Sequence, residues 1–96
     1  MTYRVIITPA AENDLRTIYG YIRMNAPRRA RAWLQGLRQA MKTLSRIPER
    51  ARLAPEAVAF DEPIRELLYG RGNRATYRIL FVIRENKVFV LHVRHG

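Results

Sequence analysis

Apolar positions along this chain fall into two rhythms, and the change between them marks the elements. Tyr3 to Thr8 (YRVIIT) is short and β-branched and predicts a first strand. The period then lengthens: Leu15, Ile18, Tyr19 and Ile22 fall at i, i+3, i+4 and i+7, one apolar stripe of a helix. Thr8 stands where an N-cap belongs and Pro9 at the first helical position, with Glu12 and Asp14 near the positive end of the helix dipole. Asn25-Ala26-Pro27 breaks the helix, and a second one is predicted from about Pro27 to Ile47. Its stripe is Ala30, Trp33, Leu34, Leu37, Met41 and Leu44, while Arg28, Arg29, Arg31, Arg38 and Lys42 lie largely off it. The very short connection makes the two helices an antiparallel hairpin, which Pro48 stops.

From Pro48 to Pro63 no period is visible. Ile64 to Tyr69 (IRELLY) then predicts a strand, and Gly70 to Arg74 a basic turn that lacks the spacing of a phosphate-binding P-loop. The final stretch, TYRILFVIRENKVFVLHVRHG, reads as two strands around a turn. The order β-α-α-β-β-β predicts an α+β fold in one domain, residues 1–96: an antiparallel sheet with the helical hairpin packed on one face.

A one-residue slip would exchange the faces of the last hairpin, so its apolar pattern selects a register. A three-residue loop Arg84-Glu85-Asn86, with Asn86 left-handed, sets Phe81 opposite Phe89, Ile79 opposite Leu91 and Tyr77 opposite Val93. That face is apolar throughout. The other carries Arg78 opposite His92 and Arg94 opposite Thr76, with Arg84 near the turn. A two-residue Glu85-Asn86 loop would scatter charge onto both faces. If Ile64 and Leu68 point inward, Arg65 joins Arg78 on the face left open, where Arg78 is replaceable without loss of the fold.

Composition narrows the chemistry. The chain has no cysteine, which excludes disulfides, thiolate catalysis and cysteine zinc sites, and two histidines near one end are a poor basis for a metal site. We expect no cofactor and no metal. The start lacks a long apolar run and the longest aliphatic or aromatic run is Ile79–Ile83, so a cytoplasmic protein with no membrane partner is expected. Charge is the unusual feature. Eighteen Lys and Arg against eight acids leave +10, and all the basic residues but Lys42 and Lys87 are arginine. Arginine's planar fork grips phosphate bidentately, so the expected partner is anionic: nucleic acid or an acidic protein. An arginine habit of a GC-rich genome is the alternative. Arg52, Arg71, Arg74, His92 and Arg94 are candidates for holding a nucleic-acid backbone.

Several short motifs occur in a set order. They are a Tyr-Arg-Val start, P-A-A-x-x-D-L at Pro9–Leu15, A-x-x-W-x-x-x-L at Ala30–Leu37, Gly72 followed by Tyr-Arg-Ile-Leu-Phe ending at Phe81, and V-L-x-V-x-H-G at Val90–Gly96. In that order the sequence resembles the RelE/ParE superfamily of bacterial type II toxins over essentially its whole length. The resemblance implies an antiparallel sheet with a helical hairpin on one side and a cognate acidic antitoxin encoded by an adjacent frame. It leaves two activities open. RelE- and YoeB-like toxins cut mRNA in the ribosomal A site, whereas ParE-like toxins poison DNA gyrase and are not nucleases.

Cleavage of RNA needs a base for the ribose 2′-OH, an acid for the leaving 5′-oxygen and cations around the phosphate. By resemblance to YoeB-like toxins, Glu56 is the candidate base, Arg78 the phosphate ligand and His95 the acid; Arg65 falls where RelE-like toxins place a strand lysine. These four make a ribosome-dependent endoribonuclease the leading expectation, with gyrase poisoning as the alternative. Gly96 departs from the terminal tyrosine of YoeB-like toxins, and ParE-like toxins often end in His-Gly. Glu56 paired with Arg52 is an equally good structural role for that carboxylate.

Overall fold

The computed structural model describes residues 2–70 and 76–96. Strand β1 (Arg4–Ile7) leads into helices α1 (Pro9–Asn25) and α2 (Pro27–Lys42); strands β2 (Arg52–Leu53), β3 (Arg65–Tyr69), β4 (Tyr77–Arg84) and β5 (Lys87–His95) follow. The strands form one sheet in the order β1-β5-β4-β3-β2, with both helices on one face.

The first helix begins as its sequence dictates. Thr8 is extended, and its hydroxyl accepts from the Ala11 N–H at 3.3 Å while donating to the Val90 carbonyl at 2.7 Å. One side chain thus caps α1 and ties it to β5. The turn between helices is a single residue: the Ala26 N–H closes α1 on the Ile22 carbonyl, and Pro27 opens α2. Leu15 from α1 and Leu37, Met41 and Leu44 from α2 and its trailing turn pack on Ile79, Phe81, Val88, Val90 and Val93 of the sheet. Along α1 the stripe is fully buried only at Ala11 and Leu15, and near its end Tyr21 and Met24 are exposed.

The sheet is mixed. β3–β4 and β4–β5 pair antiparallel as expected, and so does β2–β3, β2 being a strand the sequence pattern did not predict. But β1 lies parallel to β5, with Val5 beside Val88 and Ile7 beside Val90. Turns set the direction of strands that follow one another; nothing local sets that of the first strand against the last.

The expected hairpin register is also corrected. The turn has two residues, Glu85 and Asn86, and Glu85 takes the left-handed conformation (φ 57°) assigned to Asn86. Phe81 faces Val90 and Val82 faces Phe89; beyond an irregularity next to Phe81, Leu80 faces His92 and Ile79 faces Val93. Leu91 is the extra residue of a β-bulge. Without it, the two-residue turn would send His92 and Arg94 to the helix side. With it, Val88, Val90 and Val93 all face the core.

The second sheet face is partly covered. The segment between α2 and β3 contains a short 3-10 turn, Pro55–Ala59, and places Ala54, Ala57 and Ile64 against Leu80, Val82, Phe89 and Leu91. On β3 the sides are the reverse of those expected: Leu67 and Tyr69 pack in the main core, and Arg65, opposite Phe81, shares their side. Glu66 and Leu68 share the side of Arg78.

Two glycines test the packing of the helices with opposite signs. A Cβ on Gly20 would meet nothing within 4 Å, whereas one on Gly36 would lie 2.0 Å from the Tyr69 hydroxyl. Gly20→Ala is expected to stabilise by up to about 1 kcal/mol. Gly36→Ala should destabilise by about 1–3 kcal/mol, because the Tyr69 ring must leave its place. Urea midpoints measure both; a stabilising Gly36→Ala contradicts the close approach of α2 to Tyr69.

Candidate functional site

Arg78, in the first half of β4, is held by two carboxylates. Glu66, one strand over on β3, accepts from its Nε at 2.8 Å. Glu56, on the Pro55–Ala59 turn, takes both terminal nitrogens, at 3.0 and 2.6 Å. Glu66 also accepts from Arg52 Nε of β2 at 2.6 Å. The result is a row of alternating sign, Arg52–Glu66–Arg78–Glu56. Its centre is dry: Glu66 is 4% exposed, and no other charged residue among those described is buried.

Electrostatics follow from these contacts. Burial pushes the Glu66 carboxyl up, but the hydrogen bonds from Arg78 and Arg52 outweigh it and the net pKa is lowered. The Glu56 carboxyl is lowered chiefly by the hydrogen bonds from Arg78, with Arg94 adding a smaller attraction. Arg78 is held still more firmly protonated by Glu56 and then Glu66. A carboxylate with a lowered pKa is a weaker base. An incoming phosphate would have to compete with Glu56 for the Arg78 fork, since each of its three nitrogens already donates to a carboxylate.

The other expected members of the site are elsewhere. His95 lies opposite Tyr77 in the β4–β5 ladder and packs edge-on against its ring at 5.2 Å; Trp33 packs on the same ring at 5.1 Å. Successive strand residues point to opposite faces, so Arg94, opposite Arg78, shares its side and His95 does not. Gly96 follows, its N–H on the Thr76 carbonyl at 2.7 Å; a Cβ there would lie 3.0 Å from Arg78 Cγ. Arg65 does not join Arg78. It donates to the Ala51 carbonyl at 2.7 Å and the Glu49 carbonyl at 3.3 Å, on the core side of the sheet.

Of the candidates for nucleic-acid contact, Arg52 and Arg94 are both exposed, Arg52 with its Nε on Glu66. His92 Nδ1 lies 3.0 Å from Asp14, which also accepts the Val93 N–H at 3.0 Å and so ties α1 to β5 just past the bulge. Arg71 and Arg74 lie outside the described residues. Arg84, near the turn, is bound by Glu62. Among the described residues no group of three His, Cys, Asp or Glu side chains is placed to hold a metal ion. None of the described helices is long and apolar enough to cross a membrane.

Glu66 is the residue that sequence reading missed. Its signal was there: Ile64, Glu66 and Leu68 alternate on one side of β3, and an acid between two apolar positions of a strand needs a cation if it is buried. What hid the partner is the register that brings Arg78 across.

The paired carboxylates of the row and of Arg84 set the response to acid. Glu56, Glu62 and Glu66 all have folded-state pKa values lowered from the ordinary 4.5. Their contribution is fully present above that ordinary value and is lost as pH falls through the lowered ones. The urea midpoint should therefore be flat from neutral pH down to about 5 and fall below about 4.5. A midpoint that starts falling near pH 6 contradicts this.

The arrangement of helices, sheet and terminal hairpin is that of the RelE/ParE class of toxins. Within it, the chain belongs to the family of ParE toxins of type II toxin–antitoxin systems, whose pattern it matches over residues 5–96. Two solved structures share its fold. One is a chain of the chromosomal ParDE toxin–antitoxin system of P. aeruginosa, with 19% identity, TM-score 0.75 and coverage of 98% of this chain and 96% of that one. The other is a chain of the RelBE2 toxin–antitoxin complex of Mycobacterium tuberculosis, with 27% identity, TM-score 0.59 and full coverage of both. No protein of curated function matches the sequence.

Proposed function

We propose that this toxin acts as a ParE-type, non-nucleolytic poison of DNA gyrase, held inactive by a cognate acidic antitoxin encoded in an adjacent frame. The observation that carries it is the state of Arg78. Each guanidinium nitrogen of the cation that RNA cleavage requires already donates to Glu56 or Glu66, while His95 and Arg65 sit on the other side of the sheet. The face that would hold the scissile phosphate therefore has neither a free cation from Arg78 nor an acid from His95. A binding poison needs neither. An antitoxin meets a +10 chain with exposed apolar anchors at Tyr21, Met24, Val58 and Phe60. Acidic side chains would speed encounter, and the anchors would supply most of the hold.

Induction of the toxin alone, with gyrase cleavage complexes and mRNA ends measured in the same cells, tests this. Trapped double-strand breaks and an SOS response are expected, with no cuts inside codons. Glu56→Gln should leave toxicity intact. Codon-internal cuts without trapped breaks would sink the proposal. They would favour the second reading, ribosome-dependent mRNA cleavage, which draws on the direct contact of Glu56 with Arg78. Co-expression of the adjacent frame should restore growth and yield a co-purifying complex.

A further inference from the structure

We infer that the outer face of the helical hairpin is a docking surface for the phosphate backbone of duplex DNA. The inference starts from spacing. Arg28, Arg31, Gln35, Arg38 and Lys42 recur at alternating steps of three and four, so they form one row along α2, turned away from Ala30, Leu37 and Met41. On α1, Arg16 and Arg23 stand four and eleven residues after Glu12, again on one side of the helix. The ion pair of Arg38 with Glu12, at 3.1 Å, lays the two rows beside each other.

The face therefore collects Arg16, Arg23, Arg28, Arg31, Arg38 and Lys42. Five of these are exposed and Arg38 is half-buried. Among the described residues, Arg38 alone of the six has a carboxylate partner. No acid occurs anywhere in α2. The row runs for about 21 Å, fourteen steps of about 1.5 Å each from Arg28 to Lys42.

What the face lacks decides the partner. Protein interfaces are anchored by aromatic and aliphatic side chains at a desolvated centre. The exposed positions of α2 are Pro27, Arg28, Arg29, Arg31, Ala32, Gln35, Gln39 and Lys42, with no large apolar side chain. The exposed Tyr21 and Met24 of α1 lie on a different side of that helix from Arg16 and Arg23. A surface that is arginine-rich, polar and without anchors suits a phosphate backbone, and contacts to phosphate carry no sequence information of their own. Binding should be independent of sequence. This surface deepens the gyrase reading, since a poison that also grips DNA would hold the cleaved duplex in place, but its test uses no gyrase.

The purified chain is titrated into labelled duplex DNA of scrambled sequence, about 20 base pairs long, between about 50 and 200 mM salt. Arg28→Gln/Arg31→Gln/Lys42→Gln is compared with Arg4→Gln/Arg46→Gln/Lys87→Gln, which removes the same charge from exposed positions elsewhere. Urea midpoints confirm that both variants fold. The α2 variant should bind at least about tenfold more weakly near 100 mM salt, and its slope of log K against log salt should be shallower by about 2.7, three lost contacts at about 0.9 each. The control variant should stay within about twofold of the parent. Equal weakening of both variants, no measurable binding by the parent, or equally tight binding of duplex RNA with the same sensitivity would each overturn the inference. Gyrase poisoning that fails while this pattern holds would remove the proposed target and leave the DNA surface standing.

Discussion

Arg78→Ala is expected to destabilise the fold by about 3 kcal/mol, although its strand position suggests an arginine on an open face that could be removed without structural cost. The reason is Glu66. Its side chain is 2% exposed and takes one hydrogen bond from Arg78 and one from Arg52. Removing one partner of a buried pair typically costs about 3–5 kcal/mol, because the other charge is left desolvated. Arg52 remains, but it is 68% exposed and screened by water, so it offsets a small part of that loss. For a chain of this size, about 3 kcal/mol lowers the melting temperature by more than about 12 °C.

The same logic predicts what restores stability. Arg78→Leu combined with Glu66→Leu removes both charges and leaves no buried carboxylate, so the double variant should recover most of the loss. Glu56→Gln acts at the outer, half-exposed end of the row and should barely move the urea midpoint. These three variants separate structure from function. If Arg78→Ala abolishes toxicity, the double variant tells whether the guanidinium or the fold was responsible. An Arg78→Ala protein as stable as the parent would show that Glu66 is not buried between the two arginines.

Much of this fold could be read from local pattern. Thr8-Pro9 and Ala26-Pro27 mark both helix starts, and the stripe from Ala30 to Leu44 picks out Leu37, Met41 and Leu44, which the structure buries. What local pattern could not supply were relations between distant parts of the chain. The direction of β1 against β5 depends on no turn. The bulge at Leu91 breaks a strict alternation, so a pattern search that assumes alternation selects a three-residue loop to keep Val93 inside. That choice displaced every pairing in the hairpin. The candidate site suffered for the same reason. Glu56 and Arg78 were named and do touch, but Arg65 was placed on a face that the true sides of β3 reverse. His95, named by resemblance, alternates with Arg94 onto the helix side in either register.

The two phenylalanines of the hairpin turn that correction into a measurement. In a hairpin with a three-residue loop they would face each other on the helix side and cost about the same when truncated. In the structure Phe81 is fully buried under the helices, among Leu15, Leu37 and Val90, whereas Phe89 faces the other side. There it is half-covered by the Ala54–Ile64 segment, and the Arg84 guanidinium lies 5.2 Å from its ring centre. Phe81→Ala should cost about 4 kcal/mol, the transfer loss plus a cavity that the surrounding sheet and helices cannot close. Set against a total stability of about 5–15 kcal/mol, this removes between roughly a quarter and four-fifths of it. Phe89→Ala should cost about 1–2 kcal/mol, because water already reaches part of the ring and the shallow cluster can settle. Urea unfolding of both variants gives the comparison directly. A cost within experimental error of equality would mean that the two rings share one face.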